Sequence, residues 1–108
     1  MIGADPPRDE PPSKREGERI EVHVEVEFRK AGYHKSTMDL QDLSRSGCKV
    51  ELVERVLPGE TVWIKLPGLD SISARVAWSR DWVAGLEFSN PLHPAVFDML
   101  VARLRGGR

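Results

Sequence analysis

The chain contains one cysteine, seven aromatic residues and no excess of charge of either sign. A single thiol, Cys48, excludes an internal disulfide framework and any all-cysteine metal site. Sixteen Lys and Arg against seventeen Asp and Glu leave a formal charge of −1, which argues against a binder of nucleic-acid polymers, because those carry a basic excess. No apolar run is long enough to span a membrane, so membrane insertion is not expected. The start, Met1-Ile2-Gly3-Ala4-Asp5-Pro6, has neither the basic nor the apolar region of an export signal. What remains is the expectation of a small cytoplasmic protein of 108 residues with one domain and a modest core.

Composition divides the chain. Residues 1–19 hold four of the eight prolines and many charges, with only Met1, Ile2 and Ala4 apolar. A segment of this kind buries too little surface to offset its ordering entropy, so residues 1–12 are expected to form a disordered tail. The folded domain is expected over 13–105, with an arm at 13–19, a barrel at 20–89 and a helix at 91–105.

From Ile20 the pattern has period 2. Ile20, Val22, Val24, Val26 and Phe28 alternate with Glu21, His23, Glu25 and Glu27, as in a strand with one wet face. Similar alternation recurs in 36–40, 48–52, 62–66, 72–78 and 82–88, separated by Ala31-Gly32, Ser46-Gly47, Pro58-Gly59, Pro67-Gly68 and Arg80-Asp81. Six short strands at this spacing predict a mainly β fold, an antiparallel barrel or sandwich, with the six-stranded antiparallel barrel favoured since closure removes exposed edges. The last segment changes period: Val96, Phe97, Leu100, Val101 and Leu104 share one helical face, with Ser89 or Asn90 as the expected cap and Pro91 in the first turn. One C-terminal α-helix is therefore expected to pack on the barrel.

Two polar motifs flank the first hairpin. Arg15 and Arg19 lie four apart just before the first strand, and Asp42-Leu43-Ser44-Arg45-Ser46-Gly47 reads Asp-x-Ser-x-x-Gly after the second. Pairing Val26 with Met38 places the apolar residues of both strands on one face and leaves Ala31-Gly32-Tyr33 as the loop. The same register sets Val22 opposite Asp42 and Ile20 opposite Ser44, so the arginines emerge beside the Asp/Ser turn. Arginine matches phosphate oxygens or the O6/N7 edge of guanine and stacks on bases. The acceptor-only carboxylate of Asp42 suits the N1–H and N2–H donors of the opposite guanine edge. Gly47 lets backbone approach closely. The cluster fits a ligand that combines guanine with phosphate.

On these residues the sequence resembles the PilZ domains of bacteria. Arg15 and Arg19 match the family's Arg-x-x-x-Arg arm, and Asp42, Ser44 and Gly47 match its Asp/Asn-x-Ser-x-x-Gly turn. The six-strand pattern, Gly85-Leu86-Glu87-Phe88 and the closing helix agree with it. The resemblance implies a barrel that binds the second messenger cyclic di-GMP through Arg15, Arg19, Asp42, Ser44 and Gly47, with Lys14 and Arg45 as further candidates. It also implies that the ligand can bind as an intercalated dimer, which Lys14, just before the first arginine, would favour. No cofactor and no enzymatic activity are expected, and the output of so small a receptor is expected to pass to an unidentified downstream protein. The alternative is a PilZ-like protein-interaction module that binds no nucleotide. Glu16 and Glu18 place negative charge within the arm.

Plainer roles stand beside these. Ser44 lacks a histidine in a partner pattern and reads better as a turn cap than as a nucleophile. His23, His34 and His93 are scattered and, with Cys48, suggest no metal site. Cys48 has core parity and is expected to be an inert thiol. Trp78 and Trp82 also have inward parity; Trp63 has outward parity and is the expected exposed aromatic.

Overall fold

The computed structural model describes residues 19–32 and 34–107. The tail at 1–12 and most of the arm, including Lys14 and Arg15, lie outside the described residues, as does Tyr33 of the expected hairpin loop.

Six antiparallel strands close into a barrel: β1 (Ile20–Lys30), β2 (Lys35–Leu43), β3 (Gly47–Glu51), β4 (Thr61–Lys65), β5 (Ile72–Arg80) and β6 (Val83–Phe88). Their order around the barrel is β1-β2-β3-β6-β5-β4. The alternating residues read from the sequence supply the interior. Val26, Phe28, Met38, Leu40, Val50, Val62, Ile64, Ala74, Val76, Ala84 and Leu86 are all buried. Each large aliphatic side chain removed from water contributes about 1.5–3 kcal/mol, so closure of this one core accounts for the stability of a small domain.

The helix α1 runs over Pro94–Ala102 and continues as a π-helical turn, Arg103–Gly107. Phe97 and Leu100 join the barrel core, with Val96, Val101 and Leu104 packed against it. Its start corrects the expected boundary at 91 and the expected cap at Ser89 or Asn90. His93 is the cap, its ring Nδ1 accepting the Ala95 N–H at 3.0 Å. Two restraints hold residues 91–93 out of the helix. A residue before proline avoids the α region, and His93 before Pro94 has φ −59° and ψ 141°. Leu92 is drawn into the core, its N–H donating to the Arg45 carbonyl at 2.8 Å.

Bulges depart from strict alternation, and they place the residues of interest. Val26 pairs with Met38 as expected, but Glu21 pairs with Asp42 and Ile20 with Leu43. The predicted pairings of Val22 with Asp42 and Ile20 with Ser44 are therefore one residue out, because Val22 and His23 together face the single Gln41. Across β2 and β3, Leu40 pairs with Val50 but Asp42 with Lys49, leaving Gln41 as the extra residue. Across β5 and β6, Val76 pairs with Leu86 but Trp78 with Gly85, leaving Ala77 extra. An extra residue turns the following side chain to the other face. Asp42 and Trp78, which simple alternation would send inward, both face out.

Two of the three tryptophans depart from the expected inward parity. Trp78 and Trp82 are 41% and 53% exposed. Trp63 is half-buried beneath the Arg29 guanidinium, 4.7 Å from its ring centroid. Trp82 escapes the expected parity because it belongs to the turn: Asp81 and Trp82 form the two-residue loop between the paired Arg80 and Val83. Cys48 is buried as expected.

Candidate functional site

The bulges align one cross-strand row on the outer face of the barrel. Reading the registers in turn, Glu21 of β1 is opposite Asp42 of β2, Asp42 opposite Lys49 of β3, Lys49 opposite Gly85 of β6, and Gly85 opposite Trp78 of β5. Directly opposed residues share a face, so two carboxylates, an ammonium, a bare backbone position and an indole lie side by side across five strands.

Asp42 is the electrostatic centre of this row. Arg19, immediately before β1, donates from Nη1 to Asp42 Oδ1 at 3.0 Å, and Lys49 Nζ lies 3.6 Å from Oδ2. The Asp42 side chain is only 11% exposed, whereas that of Arg19 is 61% exposed. The carboxylate is thus fixed and the guanidinium is free to re-aim. Beneath the row, Cys48 has its thiol pKa pushed far above the usual range, first by burial and then by the negative charge of Asp42, with Arg19 opposing weakly.

Ser44 and Gly47 build the turn beside Asp42. Ser44 donates its N–H to the Gly47 carbonyl at 2.8 Å, and the Gly47 N–H donates to Ser44 Oγ at 3.2 Å. Ser44 is buried, so it caps the turn, the plainer of its two expected roles. Gly47 has no room for a side chain: a Cβ there would run into the Leu86 carbonyl of β6. Arg45 points elsewhere, its Nε donating to the Leu92 carbonyl at 2.6 Å, which ties the turn to the segment before α1.

Between this turn and Trp78 lies a shallow cleft of about 180 Å3, bordered by Arg19, Ser46, Lys49, Trp78, Gly85 and Glu87. Its floor exists because Gly85 lacks a side chain. The Trp78 indole occupies the space where a Cβ of Gly85 would stand. Glu87, the one carboxylate on the rim, is engaged by Arg75 Nη2 at 2.7 Å. On the other side of Asp42 a second depression of about 330 Å3 is bordered by Arg19, Glu21, His23, Gln41 and Lys49.

Of the residues singled out from sequence, the structure brings together Arg19, Asp42, Ser44 and Gly47, and directs Arg45 away from them. Lys49, Trp78 and Gly85 were missed. Lys49 carried no signal of its own, Gly85 entered only through Gly85-Leu86-Glu87-Phe88, and the Trp-x6-Gly spacing across the hairpin becomes informative once the Ala77 bulge is known. Among the described residues, no group of three or more His, Cys, Asp or Glu side chains is placed to hold a metal ion.

Comparison with known proteins gives this arrangement a family. The sequence profile of the PilZ domain matches residues 13–106. No curated protein sequence matches the chain. Among solved structures, the fold is similar to that of the PilZ domain of CeSA from a cellulose-synthesizing bacterium, with a TM-score of 0.58 and 20% sequence identity, over 82% of this chain and 95% of that one. No helix among the described residues is long and apolar enough to cross a membrane. With the match spanning nearly the whole sequence and the closed six-stranded barrel and closing helix in place, the chain belongs to the PilZ domain family.

Proposed function

We propose that this protein binds cyclic di-GMP on the outer face of the barrel, at the row from Asp42 to Trp78, and relays the signal to a partner protein without catalysing a reaction. The observation that carries the reading is the Arg19–Asp42 pair beside a cleft floored by Gly85 and walled by the exposed Trp78.

Each part of that face has a matching part of the ligand. An ionised carboxylate offers about four lone-pair positions, so Asp42 can accept guanine N1–H and N2–H while retaining Lys49. Arg19, released from Asp42, offers its planar fork to a phosphate or to guanine O6 and N7. The Trp78 indole gives a base a stacking surface, and Lys49 adds positive charge where the phosphates approach. Arg15 and Lys14 join the proposal on the family motif alone, with Lys14 as the residue that would favour an intercalated ligand dimer. Ser44 and Gly47 serve by shaping the turn that holds Asp42.

Calorimetric titration with cyclic di-GMP tests the assignment. Loss of one charge-assisted contact costs about 1.5–3 kcal/mol, or roughly tenfold or more in affinity. Arg15→Ala, Arg19→Ala and Asp42→Ala should each weaken binding by at least that factor. Wild-type affinity in all three would overturn the site, and absence of any amide NMR shift when cyclic di-GMP is added to the wild-type protein would leave an interaction module that binds no nucleotide.

A further inference from the structure

At the other end of β3 from Gly47, the β3–β4 connection and the β5–β6 turn enclose a separate cleft of about 350 Å3, bordered by Arg55, Leu57, Pro58, Arg80, Asp81 and Trp82. Five large apolar side chains are exposed among the described residues, and three of them, Val53, Leu57 and Trp82, belong to these two loops. Single exposed apolar residues are ordinary; a cluster calls for an occupant.

The turn is strained where it presents Trp82. Asp81 and Trp82 have φ of 56° and 64°. A two-residue hairpin loop with both residues left-handed suits Asn-Gly, and a bulky side chain there is an outlier. The strain does not serve the core, since the indole remains half exposed. It serves to hold the ring over the cleft, facing the Arg55 guanidinium at 5.6 Å. The surroundings are fixed in advance. Leu52 N–H donates to the Trp82 carbonyl at 2.7 Å, Leu57 N–H to Glu60 Oε1 at 2.9 Å, and Gly59 N–H to the Val76 carbonyl at 2.7 Å.

Charge selects the occupant. Neither Arg55 nor Arg80 forms an ion pair among the described residues; both contact aromatic rings instead. Among the described residues that line the cleft, Asp81 is the one carboxylate. Glu54 and Glu60 lie in the same connection, Glu60 engaged by the Leu57 N–H. What the cleft offers an occupant is therefore two guanidinium groups without a carboxylate partner. Tryptophan and arginine around a preformed recess of mixed polar and apolar lining are the groups that dominate protein–protein binding energy. A bilayer would be met by side chains protruding from a convex tip, whereas this surface is concave.

We propose that this cleft is the docking surface for an acidic segment of a partner protein, anchored by an apolar side chain between Leu57 and Trp82 and flanked by carboxylates that pair with Arg55 and Arg80. The proposal deepens the adaptor reading and rests on it for the partner's place in signalling, though not for the binding itself. Arg80 supplies a physical connection between the two sites, because its guanidinium also lies 6.0 Å from the centroid of Trp78, the wall of the nucleotide cleft.

The test is an amide and indole NMR titration of the full chain with a capped peptide, Asp-Glu-Leu-Phe-Glu-Asp, beside a Lys-for-acid version, a Ser-for-apolar version and phosphatidylglycerol vesicles. The acidic apolar peptide should shift the Trp82 indole N–H and the amides of Val53 and Leu57, and the two altered peptides should not. Arg55→Glu should weaken the peptide at least tenfold. Trp82→Gly should abolish its binding while raising the denaturation midpoint, because glycine accepts the left-handed turn. Trp82→Gly should bind cyclic di-GMP as wild type does, which separates this proposal from the nucleotide reading. The proposal is overturned by silence of these residues at millimolar acidic peptide, by equal binding of the basic peptide, by undiminished binding to Trp82→Gly, or by shifts with vesicles alone. Peptide binding without nucleotide binding would uphold the docking surface and remove only the nucleotide assignment.

Discussion

The Trp78 indole lies across the backbone of Gly85, in the space a side chain on Gly85 would need. The two residues are directly opposed on β5 and β6, so the missing side chain of one sets the tilt of the other. Gly85→Ala should push the indole away without unfolding the barrel, since the group displaced is an exposed side chain with room to rotate. Base–aromatic stacking is worth about 1–3 kcal/mol per base, so cyclic di-GMP affinity should fall about tenfold. Trp78→Ala should match that loss, while urea midpoints stay close to wild type. Tight binding by Gly85→Ala would mean that the indole is no platform.

Gly47 gives the opposite result for the same substitution. The obstacle there is the Leu86 main-chain carbonyl, on the strand paired with β3. Backbone cannot rotate aside as an indole can, so a methyl group must part β3 from β6 or distort the turn. Gly47→Ala should lower stability by at least about 2 kcal/mol, read from urea denaturation, with nucleotide affinity lost through the fold. A wild-type midpoint would mean that the strands separate at little cost.

These two glycines mark the limit of sequence reading. Period-2 alternation was enough for six strands and a closed barrel, because core positions such as Val26, Met38, Leu40 and Val50 obey it without exception. It failed at Asp42 and Trp78 for one physical reason. A single unpaired residue, Gln41 or Ala77, inverts the parity of everything after it, and its own side chain carries no mark of being extra. The motif Asp-x-Ser-x-x-Gly was legible since its chemistry is local: Ser44 caps the turn that Gly47 closes. Lys49 and Trp78 join Asp42 only through cross-strand register, which depends on those bulges. The helix start was misplaced because Leu92 is pulled into the core by a hydrogen bond to the distant Arg45.

Cys48 makes the stability depend on alkaline pH. Its thiol stays protonated in the folded protein well above the pH at which an unfolded cysteine ionises, because burial and the Asp42 charge both oppose the thiolate. A group with a folded pKa raised above its unfolded value of about 8.5 contributes stability that is complete below that pH and is lost as pH rises past it. The unfolded state then binds fewer protons, and the slope approaches about −1.4 kcal/mol per pH unit. Comparing wild type with Cys48→Ala by urea denaturation between about pH 7 and pH 10 isolates this contribution, and the difference should appear only above about pH 8.5. The folded wild-type thiol should also resist alkylation until denaturant is added. Rapid alkylation of the native protein would contradict the burial.

Arg19 and Lys49 hold the two oxygens of Asp42, and their removal should have unequal consequences. Arg19 is mostly exposed, so its ion pair is screened and Arg19→Ala should cost at most about 1 kcal/mol of stability. Its cyclic di-GMP affinity should nevertheless drop tenfold or more, because in the proposed complex the guanidinium moves from Asp42 to the ligand. Lys49 lies directly opposite Asp42 in the β2–β3 register, and its side chain is less exposed than that of Arg19. In the proposed complex its task is to keep the carboxylate paired while Arg19 is away. Lys49→Met should therefore weaken binding less than Arg19→Ala and flatten its dependence on salt, since one cation near the phosphates is gone. Lys49→Arg should restore both affinity and salt slope. An equal loss in Lys49→Met and Lys49→Arg would mean that the packing of the lysine side chain matters, and that its charge does not hold Asp42 in place.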